Sequence, residues 1–166
     1  DEYTGVSVGG TVDPDRVEAF RELAWRGWLI EYETPLTRRE SIDLMRIGNR
    51  EVTKNPDGID LGGFSMGLMK MVGIIGQEAL DTPGSQAYKT GIDMYREIIY
   101  SAQGFAWVKT PQNTRADQIA AGWAWVRMNL KTQSLGLGIH PLSQVLQEFP
   151  EMAGPYKQVH QMLTDD

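Results

Sequence analysis

The stretch TRADQIAAGWAWVRMNLKTQSLGLGIHPLSQ, residues 114–144, decides how the chain is read. Its first part predicts a long helix. Thr114 and Asp117 stand three apart as a capping box, and Ile119, Trp123, Val126 and Leu130 recur at helical spacing. Ala121, Trp125 and Met128 make a second stripe, and a helix apolar on two faces is expected at the centre of a fold rather than its rim. The second part breaks this order. Gly136 and Gly138 let the chain leave the helix with little steric restriction. Pro141 fixes its own φ and pushes His140 toward extended backbone. The run 138–140 reads as a short strand and Ser143 as the cap of a further helix, which leaves the N–H groups of Gln144 and Val145 without intrahelical acceptors.

Upstream, TVDPDRVEAFRELAWRGWLIEYE (11–33) predicts a strong helix, with Asp13 as cap, Pro14 in the first turn, and Val17, Phe20, Ala24 and Trp28 on one face. PLTRRESIDLMRIG (35–48) predicts a shorter one, capped by Thr37 with Glu40 and stopped at Gly48. Residues 49–63 read as a loop turning at Pro56, Asp57 and Gly58. Residues 64–76 form an apolar helix with Leu68, Val72 and Ile75 aligned, and 85–102 a helix started by Ser85. The run 3–12 is a weak strand or extended arm, and GFAWVKT (104–110), apolar on both faces, a buried strand. After Ser143 the helix is interrupted at Pro150, and Pro155 opens a last one with Tyr156, Val159 and Leu163 aligned. Many helices on a few strands make the fold class α+β, and 166 residues make one domain.

The net charge of −6 argues against nucleic acid, since phosphate binding needs clustered Lys and Arg. The adjacent arginines, Arg38 and Arg39, run into Glu40 and Ser41. An anion clamp there competes with a solvated first turn, which its place in a capping box favours. The absence of cysteine removes disulfides, thiolate catalysis and Cys-based metal sites, so redox chemistry would need a borrowed cofactor. No apolar run of about 18 residues exists to span a membrane, and the first residues lack the pattern of a signal peptide. A soluble protein is expected, periplasmic or cytoplasmic according to a signal segment outside this chain.

Most catalytic constellations fail. His140 and His160 share no metal-ligand spacing, so no metal site is expected. No G-x-S-x-G elbow exists, and Ser143 with His140 does not build a triad. No catalytic side chain is nominated, and His140 reads first as a turn residue. GLG follows a helix rather than a strand, so the dinucleotide fingerprint is absent. Met66, Met69 and Met71 read as adaptable packing, and Trp25, Trp28, Trp123 and Trp125 as core. That leaves the turn after the long helix, whose exposed donors favour an electron-rich oxygen or nitrogen such as a flavin's pyrimidine edge. On the residues alone, a plain helix–turn–helix reversal stands equally well.

The run AAGWAWVRMNLKTQSLGLGIHPLSQVLQEFPEM (120–152) resembles the C-terminal half of the FMN-binding nitroreductase-like family. The likeness is greatest to a divergent branch whose members often carry a twin-arginine export signal. FRELAWRGWLIEYETP (20–35), SIDLMRIGNREVTKNPDGIDL (41–61) and FAWVKTPQNTRADQIAAG (105–122) are similar to the same branch. The resemblance implies an α+β fold with a mainly antiparallel sheet, a homodimer with FMN at the subunit interface, and a reduced nicotinamide cofactor, NADH or NADPH, as hydride donor to a small acceptor. By position it implies that Gly138, His140, Pro141, Leu142, Ser143 and Gln144 lie along the flavin. Many members carry Glu-Gly where Ser143 and Gln144 fall, a departure that bears on turnover more than on binding. The family's Arg-x-Ser phosphate segment and terminal basic residue have no counterpart here, so the chain is expected to be an excerpt lacking both. A flavin-sequestering protein without turnover, and a cofactor-free helical interaction module, are the alternatives.

Overall fold

Two long helices set the frame, and the computed structural model describes residues 5–164. Strand β1 (Ser7–Thr11) leads into α1 (Pro14–Glu33). Asp13 caps α1 by accepting from the Arg16 N–H at 3.0 Å, with Pro14 supplying its first φ. The face carrying Val17, Phe20, Leu23, Ala24, Gly27 and Trp28 is buried, as the spacing requires. Of the expected arm 3–12 only β1 is strand; Tyr3 and Thr4 lie outside the described residues.

Helix α2 (Pro35–Asp43) begins earlier than the Thr37–Glu40 capping box predicts. Pro35 pre-sets the first turn, and Thr37 lies inside it, its hydroxyl donating to the carbonyl of Glu31 at 2.6 Å. Arg38 is not solvated: it is 6% exposed and donates to Asp81 Oδ1 and to the carbonyl of Tyr32, each at 3.0 Å. Gly48 is no helix stop either. The helix ends at Leu44, strand β2 (Met45–Ile47) follows, and Gly48 (φ 86) turns the chain into α3 (Asn49–Lys54). Strand β3 (Ile59–Leu61) then pairs parallel with β2. The expected loop 49–63 thus holds a helix and a strand on either side of the correctly read turn at Gly58 (φ 79).

Helix α4 (Phe64–Met71) stops short of residue 76 because Gly73 (φ 74) enters the left-handed region and Ile74 N–H closes on the carbonyl of Met69. Helices α5 (Gln77–Asp81) and α6 (Gln86–Tyr100) follow, the latter capped by Ser85 at Tyr88 N–H. Strand β4 (Phe105–Lys109) pairs antiparallel with β1 alone, Gly9 facing Trp107, so it is a half-buried ribbon edge rather than a buried strand. One antiparallel and one parallel pair among this many helices make the fold α+β.

The capping box is complete in α7 (Arg115–Ser134): Asp117 N–H donates to Thr114 Oγ1 and Thr114 N–H to Asp117 Oδ2. Its position corrects the expectation of a central helix. No described residue of α7 is buried, and Ile119, Trp123, Val126 and Leu130 are 50, 52, 52 and 66% exposed. The periodicity is right, but within one chain the stripe stays at least half-exposed. Trp28 is core as expected, Trp25 and Trp125 are half-buried, and Trp123 is not core. Helix α8 (Ala153–Thr164) closes the chain, burying Pro155 and Val159.

Three clusters hold these pieces. Ile42, Ile47, Leu80 and Ala87 join α2, β2, α5 and α6; Leu23, Val145 and Val159 join α1 to α8; Ala24, Trp28 and Ile99 join α1 to α6.

Candidate functional site

Helix α7 ends in a 6→1 closure: Leu137 N–H donates to the carbonyl of Thr132 at 3.0 Å while Gly136 takes φ 71. The next residues, 138–143, have no regular structure, and 138–140 find no strand to pair with, which corrects the expected strand. Nor does Ser143 cap a helix. A single 3-10 turn, Gln144–Leu146, follows it, and the Ser143 side chain makes no capping bond. Pro150 limits it: Phe149 is held extended (φ −118, ψ 158), so no helix begun at Ser143 runs past residue 148.

Of the nominated residues, Gly138, His140, Pro141 and Ser143 are exposed, while Leu142 and Gln144 are half-buried. A Cβ built on Gly138 would meet no atom within 4 Å, so the backbone there is open to a partner. The N–H groups of Leu142, Ser143 and Gln144 meet no acceptor among the described residues. The structure keeps the six residues on one continuous run. The His160 ring is engaged on its own helix, its Nδ1 2.8 Å from the carbonyl of Tyr156.

The run is seated on α1 at three points. Leu142 packs against the Ala24, Trp28 and Ile99 cluster. Val145 fills the space over Gly27, where any Cβ would overlap its Cγ1. One turn along α1 stands the Glu31 carboxyl: Oε1 accepts from the Ser41 hydroxyl at 3.2 Å, while Oε2 is buried and no hydrogen bond closes on it. Burial holds this carboxyl above the usual carboxylate range. The Ser41 hydroxyl and the amides of Gln147 and Gln144 offset part of that rise, and Glu40 adds to it. The amides come close enough to act on the charge, yet neither closes on Oε2.

Under the run lies a column of rings: Trp25 on Trp28 at 5.5 Å, Trp28 on Tyr32 at 4.7 Å and on Tyr95 at 4.6 Å, and Tyr32 on Tyr88 at 4.8 Å. Tyr32's hydroxyl is pushed up to about 12 by burial and by its neighbour Tyr88, so it stays protonated at neutral pH. A separate cleft of about 410 Å3 lies between β1 and α7, lined by Val8, Ala124 and Met128 together with Arg127 and Lys131. No group of three metal-ligating side chains occurs among the described residues, and no helix there is long and apolar enough to cross a membrane.

Gly27 and Glu31 escaped the sequence reading. Glu31 lies in an unremarkable run, EYE, and only the fold brings Ser41 and the two glutamines to it. Gly27 did carry a signal, since a lone glycine within a Trp-rich helix marks close approach of another segment. No protein family, curated protein or solved structure matches this chain.

Proposed function

We propose that this chain is an FMN-dependent oxidoreductase of nitroreductase type that passes hydride from a reduced nicotinamide cofactor to a small acceptor. The observation that carries the reading is the open run 138–144, whose unclaimed N–H groups stand at an exposed edge above stacked rings. These donors suit the electron-rich edge of an isoalloxazine, and Gly138 gives a planar ring room to approach the backbone. The bound flavin would supply the hydride chemistry, and the protein the orientation and local field. In this role Leu142 anchors the run on Trp28, Pro141 stiffens it, and Ser143 and Gln144 present backbone donors.

A homodimer belongs to the same proposal. Ile119, Trp123, Val126 and Leu130 follow spacings of four, three and four, the seam of a helix pair, and all are at least half-exposed. A second copy packed on α7 would cover them.

Flavin binding without turnover is favoured by one feature, the Gln144 amide drawn inward toward Glu31 where many members of the resembled family carry Glu-Gly. Titrating FMN into the purified chain and recording visible absorbance and flavin fluorescence tests both readings. Anaerobic NADH or NADPH should bleach the bound flavin, and a quinone or nitroaromatic should restore its colour. Bound flavin that stays oxidised selects the sequestering role. No bound chromophore at any FMN concentration removes both.

A further inference from the structure

The buried oxygen of Glu31 has a consequence for residues 141–147 that holds with or without a ligand. The 3-10 turn Gln144–Leu146 packs on α1, and the amides of Gln144 and Gln147, three apart, come near enough to the carboxyl to act on its charge. Ionised, the group would leave charge on an oxygen removed from water on which no hydrogen bond closes, with the nearby amides offsetting only part of the cost. Protonated, Oε2–H becomes a donor, and either glutamine can meet it with its carbonyl after an amide flip, while Oε1 keeps the Ser41 hydrogen bond. We propose that Glu31 is a proton-operated latch: protonated, it holds residues 141–147 down on α1; ionised, it lets them lift into water.

The surroundings leave few other groups to titrate in its place. α2 presents Glu40, whose charge opposes ionisation, and Ser41; α6 presents Tyr95, whose own ionisation Glu31 disfavours; the 3-10 turn and the residue after it present the amides of Gln144 and Gln147. Lifting the run rehydrates the carboxyl and returns it to its ordinary pKa of 4.5. Because the seated state holds the proton more tightly, seating is fully supported below that value and weakens as pH rises through the higher value of the seated form. The other two anchors, Val145 over Gly27 and Leu142 on Trp28, confine the motion to a local opening.

Amide hydrogen exchange of the full chain tests this at Leu146 and Gln147, whose N–H groups donate to the carbonyls of Ser143 and Gln144 at 2.9 and 3.1 Å. Rates are corrected for the intrinsic pH dependence of exchange and referenced to α6. Protection of these two amides should fall severalfold as pH rises, with a midpoint matching the carboxyl titration of Glu31 followed by carbon NMR in the unaltered chain. Glu31→Gln, neutral at every pH, should keep the protected state throughout, and Glu40→Gln should lower the midpoint without abolishing the transition. Protection independent of pH in the unaltered chain, a midpoint unrelated to the Glu31 titration, or a transition that survives in Glu31→Gln would overturn the latch. Flavin is a separate readout: a pH-dependent opening in a chain that never binds FMN keeps the latch and removes the oxidoreductase reading.

Discussion

Arg38 shows how one side chain ties three elements together. Its guanidinium is buried where α2 leaves α1, and it reaches Asp81 on α5 while donating to the Tyr32 carbonyl. Arg38→Ala would take this donor from the Tyr32 carbonyl and leave Asp81 with Arg39 alone, and should cost about 3 kcal/mol in denaturant unfolding. Arg38, and then Arg39, hold the Asp81 carboxyl below its ordinary 3.8. The stability this contributes is present above the ordinary value and is lost as pH falls through the lower value of the folded form. Asp81→Asn should therefore flatten the acid limb of a stability–pH curve while leaving little pH dependence of its own. Gly27 is the second residue whose identity is dictated by contact. Gly27→Ala would push against Val145 and should cost about 1–3 kcal/mol despite alanine's better helix propensity; a gain in unfolding midpoint would show that the turn yields freely.

At the scale of the element, α7 separates what periodicity states from what it leaves open. The stripe Ile119, Trp123, Val126 and Leu130 was legible in the sequence, as was the Thr114–Asp117 cap, because both depend on residues within one helix. Burial was not legible, since it depends on what lies opposite. The same division runs through the rest of the chain. Asp13, Pro14 and Ser85 announced their helices through local chemistry, whereas β2 and β3, three residues each, exist only because they pair with each other. In the candidate site, the exposure of Gly138 to Ser143 follows from local turn chemistry. The Glu31 carboxyl beneath it is long-range and left no mark in its own neighbourhood. If a second copy covers α7, Trp123→Gln with Val126→Gln should shift sedimentation from dimer to monomer with little change in helical circular dichroism. A chain that sediments as a monomer before substitution would remove the dimer from the proposal.

Across the whole molecule, α1 is the shared member. It contributes Leu23 to one cluster and Ala24 and Trp28 to another, while α7 contributes no buried residue to any. Local stability follows buried apolar contact, so amide exchange should be slowest in the middle of α1 and in α6 near Ile99, and fastest, among the long helices, in α7. Equal protection of α7 in dilute solution would mean that it is covered. Binding gives the second global test: FMN at a hundred times its Kd should raise stability by about 2.7 kcal/mol, and unfolding temperature should then depend on flavin concentration.

The column of rings along α1 also gives the molecule a built-in optical signal. Trp25 and Trp28 stack at 5.5 Å with their planes 9° apart, and Trp28 continues to Tyr32 and Tyr95. Transition dipoles this close mix, so the folded chain should display a paired positive and negative exciton band in ultraviolet dichroism that no single indole produces. Replacing Trp25 by Phe would dissolve that couplet while sparing Trp28, turning the ring column into a private gauge of whether the first long helix has assembled.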